Sequence, residues 1–326
     1  MTNAERWTEA AFHADVTDWV RARCREAGIV LTGTWEQPHC RPWSSTIRFD
    51  TDRGALWFKV NGSGTRYEPA LLAALSRFVP DLVPELLAVD TARGWSLCRD
   101  AGPLMRSVAP ATDLWPHWER VLPRYAAAQI ELSNHRDVLL ATGIRHLSPH
   151  TLPTTIRTLH DELARTAPDE GGLTPAQSRA LTSAFGRFDA WCAELASSAI
   201  PDSLQHDDLH SANICWPGAG ARVIDWGDAS WSTPIGTMVA TLNSVTYHAA
   251  TTLDDLRVVR VRDAYLAPFT AFATHAELVH LVGVVRRVGA LSRALSYRAA
   301  LEGEPPASHA AYEFPVRERL MEIAER

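Results

Sequence analysis

The chain has 326 residues, of which 46% are hydrophobic, so it is long enough to bury a large core and to form two lobes. Its formal net charge of −6 excludes the strongly basic surface that nucleic-acid binding requires. No apolar run predicts a membrane span, because the longest candidate, residues 278–295, is interrupted by one histidine and three arginines. The N-terminus lacks a signal-peptide core, and the five cysteines are scattered without a Cys-x-x-Cys spacing. These features predict a cytoplasmic protein with reduced thiols.

The first hundred residues are predicted to form a helix, a five-stranded sheet and a second, inserted helix. Apolar residues recur at helical spacing between residues 4 and 27. Short β-like runs follow at residues 29–31, 46–49, 56–58, 85–89 and 95–98. Between the third and fourth of these runs, residues 68–75 have the apolar pattern of a helix whose first turn tolerates Pro69.

Beyond Gly102 and Pro103 the pattern is helical to the end of the chain, except for one hairpin. That hairpin consists of apolar residues 214–216 and 223–224 on either side of a turn at residues 217–220. The change of pattern near residue 102 predicts two lobes, residues 1–102 and 103–326. A cleft between such lobes is the usual place for a ligand.

Three oxygen-bearing side chains surround the predicted hairpin. Folding the chain about the turn places Asn213 opposite Asp225, and opposed residues of an antiparallel pair have Cβ atoms roughly 4.5–5.5 Å apart. One amide oxygen and one carboxylate would then share a cation, and such hard oxygen ligands suit magnesium. Asp208 lies on the loop that leads into the hairpin, where its carboxylate could accept a proton from a hydroxyl beside the metal. This order of groups is the one that phosphoryl transfer uses.

Lys59 is the only lysine of the chain, since every other basic side chain is an arginine. Lysine and arginine are not interchangeable, because the ammonium is compact while the guanidinium is a planar fork. A single lysine in a predicted strand of an arginine-rich protein therefore indicates a site that needs a compact cation. An ordinary lysine at a strand end is the alternative.

Two motifs resemble the aminoglycoside phosphotransferase branch of the kinase-like superfamily. They are His-x-Asp-Leu-His-x-x-Asn at residues 206–213 and Ile-Asp-Trp at residues 224–226. The resemblance covers roughly residues 30–245. It implies an α+β, two-lobed protein-kinase-like fold, in which an N-terminal five-stranded antiparallel sheet with one helix binds the nucleotide. The C-terminal lobe would be mostly helical and would carry the catalytic loop and the substrate site.

The resemblance also implies a role for each matching side chain. Asp208 would orient and deprotonate the acceptor hydroxyl, while Asn213 and Asp225 would hold magnesium. Lys59 would contact the α- and β-phosphates of ATP and pair with a helix glutamate. Glu68 is the predicted partner, and Glu85 is the nearest alternative.

Further nucleotide contacts are predicted where the family carries its phosphate loop and its interlobe linker. No glycine-rich loop is present at residues 38–45, so Ser44 and Ser45 are predicted to contact phosphate, although an ordinary serine-rich turn explains them equally well. In the family, the backbone of the linker binds the adenine. The corresponding residues here are Leu97, Cys98 and Arg99.

Two departures from the family pattern affect the catalytic loop. Asp207 precedes the proposed base where the family usually has glycine, and its negative charge is expected to raise the pKa of Asp208. Thr237 stands where the family commonly has a carboxylate that supports the loop. We therefore expect the loop to be braced in some other way.

The predicted activity is transfer of the γ-phosphoryl group of ATP, with Mg²⁺, to a hydroxyl of a small molecule. An aminoglycoside-type antibiotic or amino sugar is the first acceptor class that the resemblance implies, and several carboxylates expected near the site would also favour a cation. These carboxylates belong to Asp207, Asp228, Asp254 and Asp255. A kinase for sugars, choline-like alcohols or homoserine is an open alternative, as is a non-catalytic, nucleotide-binding pseudokinase. No nucleic-acid or membrane partner is expected, and the oligomeric state is open.

Overall fold

The computed structural model describes residues 1–218, 220–305, 308, 312 and 315–326. Ala219, in the predicted hairpin turn, and part of the predicted C-terminal helical region after residue 305 lie outside the described residues. By their contacts the described residues form two compact units, whereas the sequence predicted a single boundary at residue 102. The first unit comprises Met1–Pro103, Cys215–Gly227 and the described residues of 298–314, and the second comprises Leu104–Ile214, Asp228–Tyr297 and Pro315–Arg326.

The first unit is built on a five-stranded antiparallel sheet in the order β1-β2-β3-β5-β4. The strands are β1 (Leu31–Arg41), β2 (Ser44–Thr51), β3 (Leu56–Asn61), β4 (Leu86–Asp90) and β5 (Trp95–Arg99). The helices of this part of the chain are α1 (Asn3–Arg6), α2 (Ala10–Glu26) and α3 (Glu68–Phe78). The predicted α+β class with an N-terminal five-stranded sheet is confirmed.

Aromatic side chains cover one face of this sheet. Phe58 and Trp95 are buried with ring centroids 5.2 Å apart, and Trp19 of α2 packs edge-on against Phe58 at 6.0 Å. Successive side chains of a strand point to opposite faces, so Lys59 lies on the face away from α2. The alternation within β3 thus separates the hydrophobic core from a polar face.

The first strand is much longer than the predicted run at residues 29–31, and this part of the prediction was wrong. Register shifts in the pairing of β1 with β2 occur between Leu31 and Trp35 and between Glu36 and His39. Such bulges break the alternation by which a strand is recognised in a sequence, and an edge strand with a bulge can hold Pro38. Only two residues connect β1 to β2, so the predicted loop at residues 38–45 is a tight turn.

The second unit is mostly helical, as predicted. Its helices are α4 (Met105–Val108), α5 (Trp115–Leu132), α6 (Arg136–Leu140), α7 (Leu152–Arg165), α8 (Pro175–Ala196), α9 (Thr237–His248), α10 (Leu256–Leu266), α11 (His275–Ala300) and α12 (Val316–Glu325). A small sheet in the order β6-β10-β7 was not predicted; its strands are β6 (Arg145–His146), β7 (Ser203–Gln205) and β10 (Ser230–Ser232). Strands of two or three residues are too short to show a period in the sequence.

The predicted hairpin is present as a two-stranded sheet of β8 (Ile214–Cys215) and β9 (Arg222–Val223). All five cysteines are free thiols. Among the described helices, none alone is long and apolar enough to cross a membrane. One helical pair, Leu256–Ala271 with His275–Ala300, meets the length and composition criteria together but is bent by 117°.

Candidate active site

The single lysine of the chain lies between two carboxylates of the first unit. The Lys59 ammonium is 2.6 Å from Glu68 Oε2 and 2.7 Å from Asp225 Oδ1. Burial alone would lower the pKa of Lys59, but the charges of Asp225 and Glu68 outweigh it and raise the pKa above its usual range. The lysine is therefore a fixed cation at any physiological pH. Glu85, the alternative partner, instead pairs with Arg99.

Glu68 is a buried carboxylate at the start of α3, and the chain around Trp226 holds it from the other side. The Trp226 main-chain N–H donates to Glu68 Oε1 at 2.9 Å, which leaves Oε2 for Lys59. Burial raises the pKa of Glu68, while the Lys59 ammonium and the Trp226 N–H oppose that rise. Glu68 is thus held at one oxygen by the Trp226 N–H and at the other by its ion pair with Lys59.

Asp225 differs from Glu68 in its exposure and in its backbone. Its side chain is exposed, and its φ of 63° lies in the left-handed region that few residues other than glycine, asparagine and aspartate adopt. The last strand of the hairpin ends two residues before it, at Val223. One oxygen of Asp225 contacts Lys59, and the exposed carboxylate remains accessible to a ligand.

The other predicted nucleotide contacts lie on both faces of the sheet. The Ser45 hydroxyl is fully buried and donates to the His39 carbonyl at 2.8 Å, whereas Ser44 Oγ lies 3.4 Å from His39 Nε2. Leu97 is opposite Phe58 in the strand pairing and belongs to the aromatic core, so only its backbone can face a ligand. Their contacts with a nucleotide stay predictions.

The remaining two predicted linker residues flank the polar face. Cys98 is buried on the face that carries Lys59, and burial raises the pKa of its thiol to about 12. The Arg99 side chain pairs with Glu85 at 2.9 Å. A thiol with such a pKa is un-ionised at neutral pH, so Cys98 adds no charge beside the lysine.

In the second unit, hydrogen bonds from neighbouring helices hold the catalytic loop. The His206 N–H donates to the Tyr125 hydroxyl at 3.1 Å, and the Thr241 hydroxyl donates to the Leu209 carbonyl at 2.9 Å. Thr237 lies near the same loop but is bound by the Gln129 amide at 3.3 Å. Hydroxyl groups thus supply the bracing that the missing carboxylate would have given.

Asp207 has a backbone conformation that glycine adopts without steric cost. Its φ is 62°, in the left-handed region. Its carboxylate accepts hydrogen bonds from the Gln205 amide and the Ser230 hydroxyl, which compensates for the strained conformation. The carboxylate therefore ties the loop to β7 and β10.

Asp208 is a partly buried carboxylate with two partners of its own. Arg293 Nη2 donates to Asp208 Oδ1 at 2.5 Å, and His210 Nε2 lies 3.4 Å from Oδ2. Burial would raise the pKa of Asp208, but the His210 hydrogen bond and the Arg293 charge hold it well below its usual range. The expectation that the pKa of Asp208 is raised was wrong, because the His210 hydrogen bond and the Arg293 charge outweigh burial.

The tautomer of His210 follows from its surroundings. The Ala212 N–H donates to His210 Nδ1 at 3.1 Å, so this nitrogen carries no proton in the neutral ring. The proton then lies on Nε2, from which it points towards Asp208. His210 therefore acts as a donor to the carboxylate and not as a competing acceptor.

Arg293 is the functional residue that sequence reasoning missed. It lies on α11, 85 residues after Asp208, and its guanidinium also lies 3.6 Å from Asp228 Oδ2. No motif spacing links it to the catalytic loop. Its charge nevertheless contributes, after the His210 hydrogen bond, to the lowered pKa of Asp208.

Asn213 is held by the same loop, and its donor set can be tested against the requirements of magnesium. Its amide nitrogen donates to the Asp208 carbonyl at 3.0 Å, so its other polar atom, a hard oxygen, is the one suited to a cation. The exposed Asp225 carboxylate is of the same type. No cluster of three or more His, Cys, Asp or Glu side chains arranged for a metal occurs among the described residues. Each of the two side chains by itself offers a hard oxygen of the kind that Mg²⁺ prefers.

A cavity of about 440 Å³ lies within the second unit, and Asp208 is in its wall. Helix α9 lines it with small and polar side chains that include Asn243 and Ser244. Helix α11 lines the opposite side from Arg286 to Tyr297. The volume is within the range of a small-molecule site.

The carboxylates expected to attract a cationic acceptor are mostly committed to neighbours. Asp207 binds Gln205 and Ser230, Asp228 lies beside Arg293, and Asp255 caps α10 while pairing with Arg257 at 2.6 Å. Of these carboxylates, only Asp207 lines the cavity.

Solved structures of small-molecule kinases share the fold over nearly the whole chain. The macrolide 2'-phosphotransferase MphH from Brachybacterium faecium is 15% identical, with a TM-score of 0.56 over 94% of this chain and 97% of its own. The choline kinase LicA from Streptococcus pneumoniae is 13% identical, with a TM-score of 0.58 over 94% and 99%. The choline kinase from Cryptosporidium parvum is 12% identical, with a TM-score of 0.60 over 95% and 93%. At these identities the likeness shows the fold alone.

A comparison with curated protein sequences found no match. A model of the phosphotransferase enzyme family, abbreviated APH, matches residues 43–269, which is more than half of the chain and includes every predicted site residue. This match confirms the resemblance seen in the residues around Asp208. The chain therefore belongs to the phosphotransferase enzyme family.

Proposed function

We propose that the enzyme transfers the γ-phosphoryl group of ATP to a hydroxyl group of a small molecule. The observation that carries the proposal is the network of Lys59, Glu68 and Asp225, in which a permanent cation is fixed between one buried and one exposed carboxylate. Phosphotransferases of the kinase type use a strand lysine and a helix glutamate in this way to hold the nucleotide phosphates. Family membership supports the same chemistry.

Lys59 would neutralise the α- and β-phosphates, and Glu68 would fix its position. A buried ion pair with a hydrogen-bonded carboxylate keeps the ammonium at one place, which limits the reorganisation needed when the nucleotide binds. Asn213 and Asp225 would hold a divalent ion. A bound Mg²⁺ would neutralise the negative charge that develops on the phosphates during transfer.

Asp208 would bind the acceptor hydroxyl and accept its proton. As the acceptor oxygen bonds to the γ-phosphorus, the bond from that phosphorus to the ADP oxygen breaks and the hydroxyl proton passes to the Asp208 carboxylate. The lowered pKa makes Asp208 a weak base, so its main contribution is to orient the hydroxyl. This suits a loose transition state, in which little proton transfer is needed before the phosphoryl group moves.

ATP consumption measured across a panel of hydroxylated amines, sugars and hydroxy acids, with and without Mg²⁺, tests the proposal. Asp208→Asn should reduce turnover by roughly 10²–10⁴-fold while nucleotide binding is retained. Asp254→Asn, which changes an exposed carboxylate of the same unit, is the matched control and should leave turnover unchanged. Near wild-type turnover in Asp208→Asn would contradict the proposed role, and a wild type that binds ATP without consuming it would support the pseudokinase alternative.

A further inference from the structure

An arginine cluster lies in the cavity wall at a distance from the catalytic loop. It consists of Arg286 on α11, Arg319 on α12 and Arg326. Arg286 and Arg293 are seven residues apart on one helix, which corresponds to about 10 Å at a rise of 1.5 Å per residue. The cavity therefore has one charged region beside Asp208 and a second near Arg286.

The second region has more cations than anions. Glu322 is the carboxylate there, and it is shared by Arg319 at 2.5 Å and Arg326 at 3.2 Å. Within the described part of the chain, the Arg286 side chain forms no ion pair or hydrogen bond. The Arg326 guanidinium donates to the Arg286 carbonyl and so adds its own positive charge to the same place.

Two nitrogen atoms of this cluster are buried without a hydrogen-bond partner among the described residues. They are Arg286 Nη1 and Arg319 Nε. A buried N–H donor without an acceptor is costly, because the hydration that it loses is not replaced. Arg319 pairs with Glu322 through its Nη1, so among the described residues Arg286 is the arginine of this cluster without a counter-charge. Burial, followed by the charge of Arg326, lowers the pKa of Arg286, which shows that the surroundings oppose its charge. An anion would remove both penalties.

We propose that the acceptor carries an anionic group, a carboxylate or a phosphate, that binds Arg286 and Arg319 while its hydroxyl lies at Asp208. The planar guanidinium matches either anion with paired hydrogen bonds. Arg286 and Arg293 mark the two charged regions, and their backbone positions are about 10 Å apart along α11. This inference rests on the proposed function and specifies its acceptor as anionic, in place of the cationic class that the sequence suggested.

Calorimetric titration with inorganic phosphate, and separately with malonate, tests the anion site and distinguishes the two anions. Arg286→Gln and Arg319→Gln should each raise the Kd of the preferred anion at least about tenfold, or about 1.4 kcal/mol. Arg287→Gln is the matched control, because it removes the adjacent charge on α11 from a side chain that lies over Trp191. It should leave the Kd unchanged. Lys59→Met should also leave it unchanged, which separates this site from the lysine of the first unit.

A wild type that binds neither anion, or arginine variants that bind both as tightly as the wild type, would overturn the inference. If circular dichroism shows that Arg286→Gln does not fold, Arg319→Gln on α12 decides the question. In turnover assays, Arg286→Gln should raise the KM for an anionic acceptor about tenfold and leave the KM for ATP unchanged. If Arg286→Gln leaves the acceptor KM unchanged while Asp208→Asn still loses turnover, the anion site is refuted and the proposed function stands. Anion binding through Arg286 without any ATP consumption would refute the proposed function, and with it the acceptor assignment.

Discussion

The pairing of Asp208 with Arg293 can be measured by a double-mutant cycle of Asp208→Asn and Arg293→Gln. The two charged groups are 2.5 Å apart, and their side chains are only 24% and 29% exposed. A hydrogen bond between charged groups contributes about 1.5–3 kcal/mol when water is largely excluded, whereas exposed ion pairs contribute roughly 0.2–1 kcal/mol. We expect a coupling free energy of about 2 kcal/mol in urea unfolding followed by circular dichroism.

The same cycle has a defined pH dependence. The pKa of Asp208 is lowered in the folded protein and near 3.9 in an unfolded chain, so its stabilisation is fully present above the unfolded pKa. The coupling should therefore be constant from pH 8 to pH 6. It should fall as the pH drops below about 5, because the unfolded chain then takes up a proton that the folded carboxylate resists.

The ion pair between Arg157 and Asp189 is a matched control for this cycle. Its geometry is equally good, with contacts of 2.9 and 2.6 Å, but its side chains are 40% and 41% exposed. Its coupling should be below about 1 kcal/mol. If the coupling of Asp208 with Arg293 is no larger than that of the control, Arg293 does not hold the catalytic carboxylate and the reasoning is wrong.

Three further predictions concern the loop at Asp207 and the network of Lys59, Glu68 and Asp225. Lys59→Arg should impair turnover nearly as much as Lys59→Met, since a planar guanidinium does not fit between the two carboxylates; an active Lys59→Arg enzyme would reduce Lys59 to a surface charge. Asp225→Ala should weaken Mg²⁺-dependent ATP binding in calorimetry, while Asp81→Ala, an exposed carboxylate of the same unit, should not; equal effects would remove Asp225 from the metal site. In urea unfolding, the free energy of unfolding of Asp207→Gly should exceed that of Asp207→Ala by about 1 kcal/mol. Both variants lose the carboxylate, but only alanine is strained by the left-handed backbone conformation. Equal stability would show that the position carries no strain.

The parts of the fold that the sequence predicted are those with a local signal. The helical pattern after Glu68 and the alternation at Phe58 and Lys59 each occur within a few residues, so the sheet and its inserted helix could be found. The hairpin around residue 218 was visible because turn residues separate two apolar runs. These features place Lys59 and Glu68 on neighbouring elements, and the structure joins them at 2.6 Å.

The parts that were missed depend on contacts between distant segments. The bulges of β1 hide its alternation, and the three-residue strands β7 and β10 have no period to detect. Arg293 is one of many arginines, and nothing near it in the chain marks it as the partner of Asp208. Only the packing of α11 against the loop brings the two side chains together.

Helix α11 gives the two proposals a common physical basis. Arg293 pairs with Asp208, and Arg286, seven residues earlier on the helix, lines the same cavity and has a nitrogen without a hydrogen-bond partner among the described residues. A rigid helix fixes their separation, so an acceptor would be selected by the distance between its hydroxyl and its anion as well as by its charge. An anion placed closer would compete with Asp208 for Arg293. Asp208 would then lose one of the two groups that lower its pKa. The position of Arg286 on the helix therefore disfavours acceptors whose anion lies closer to the hydroxyl.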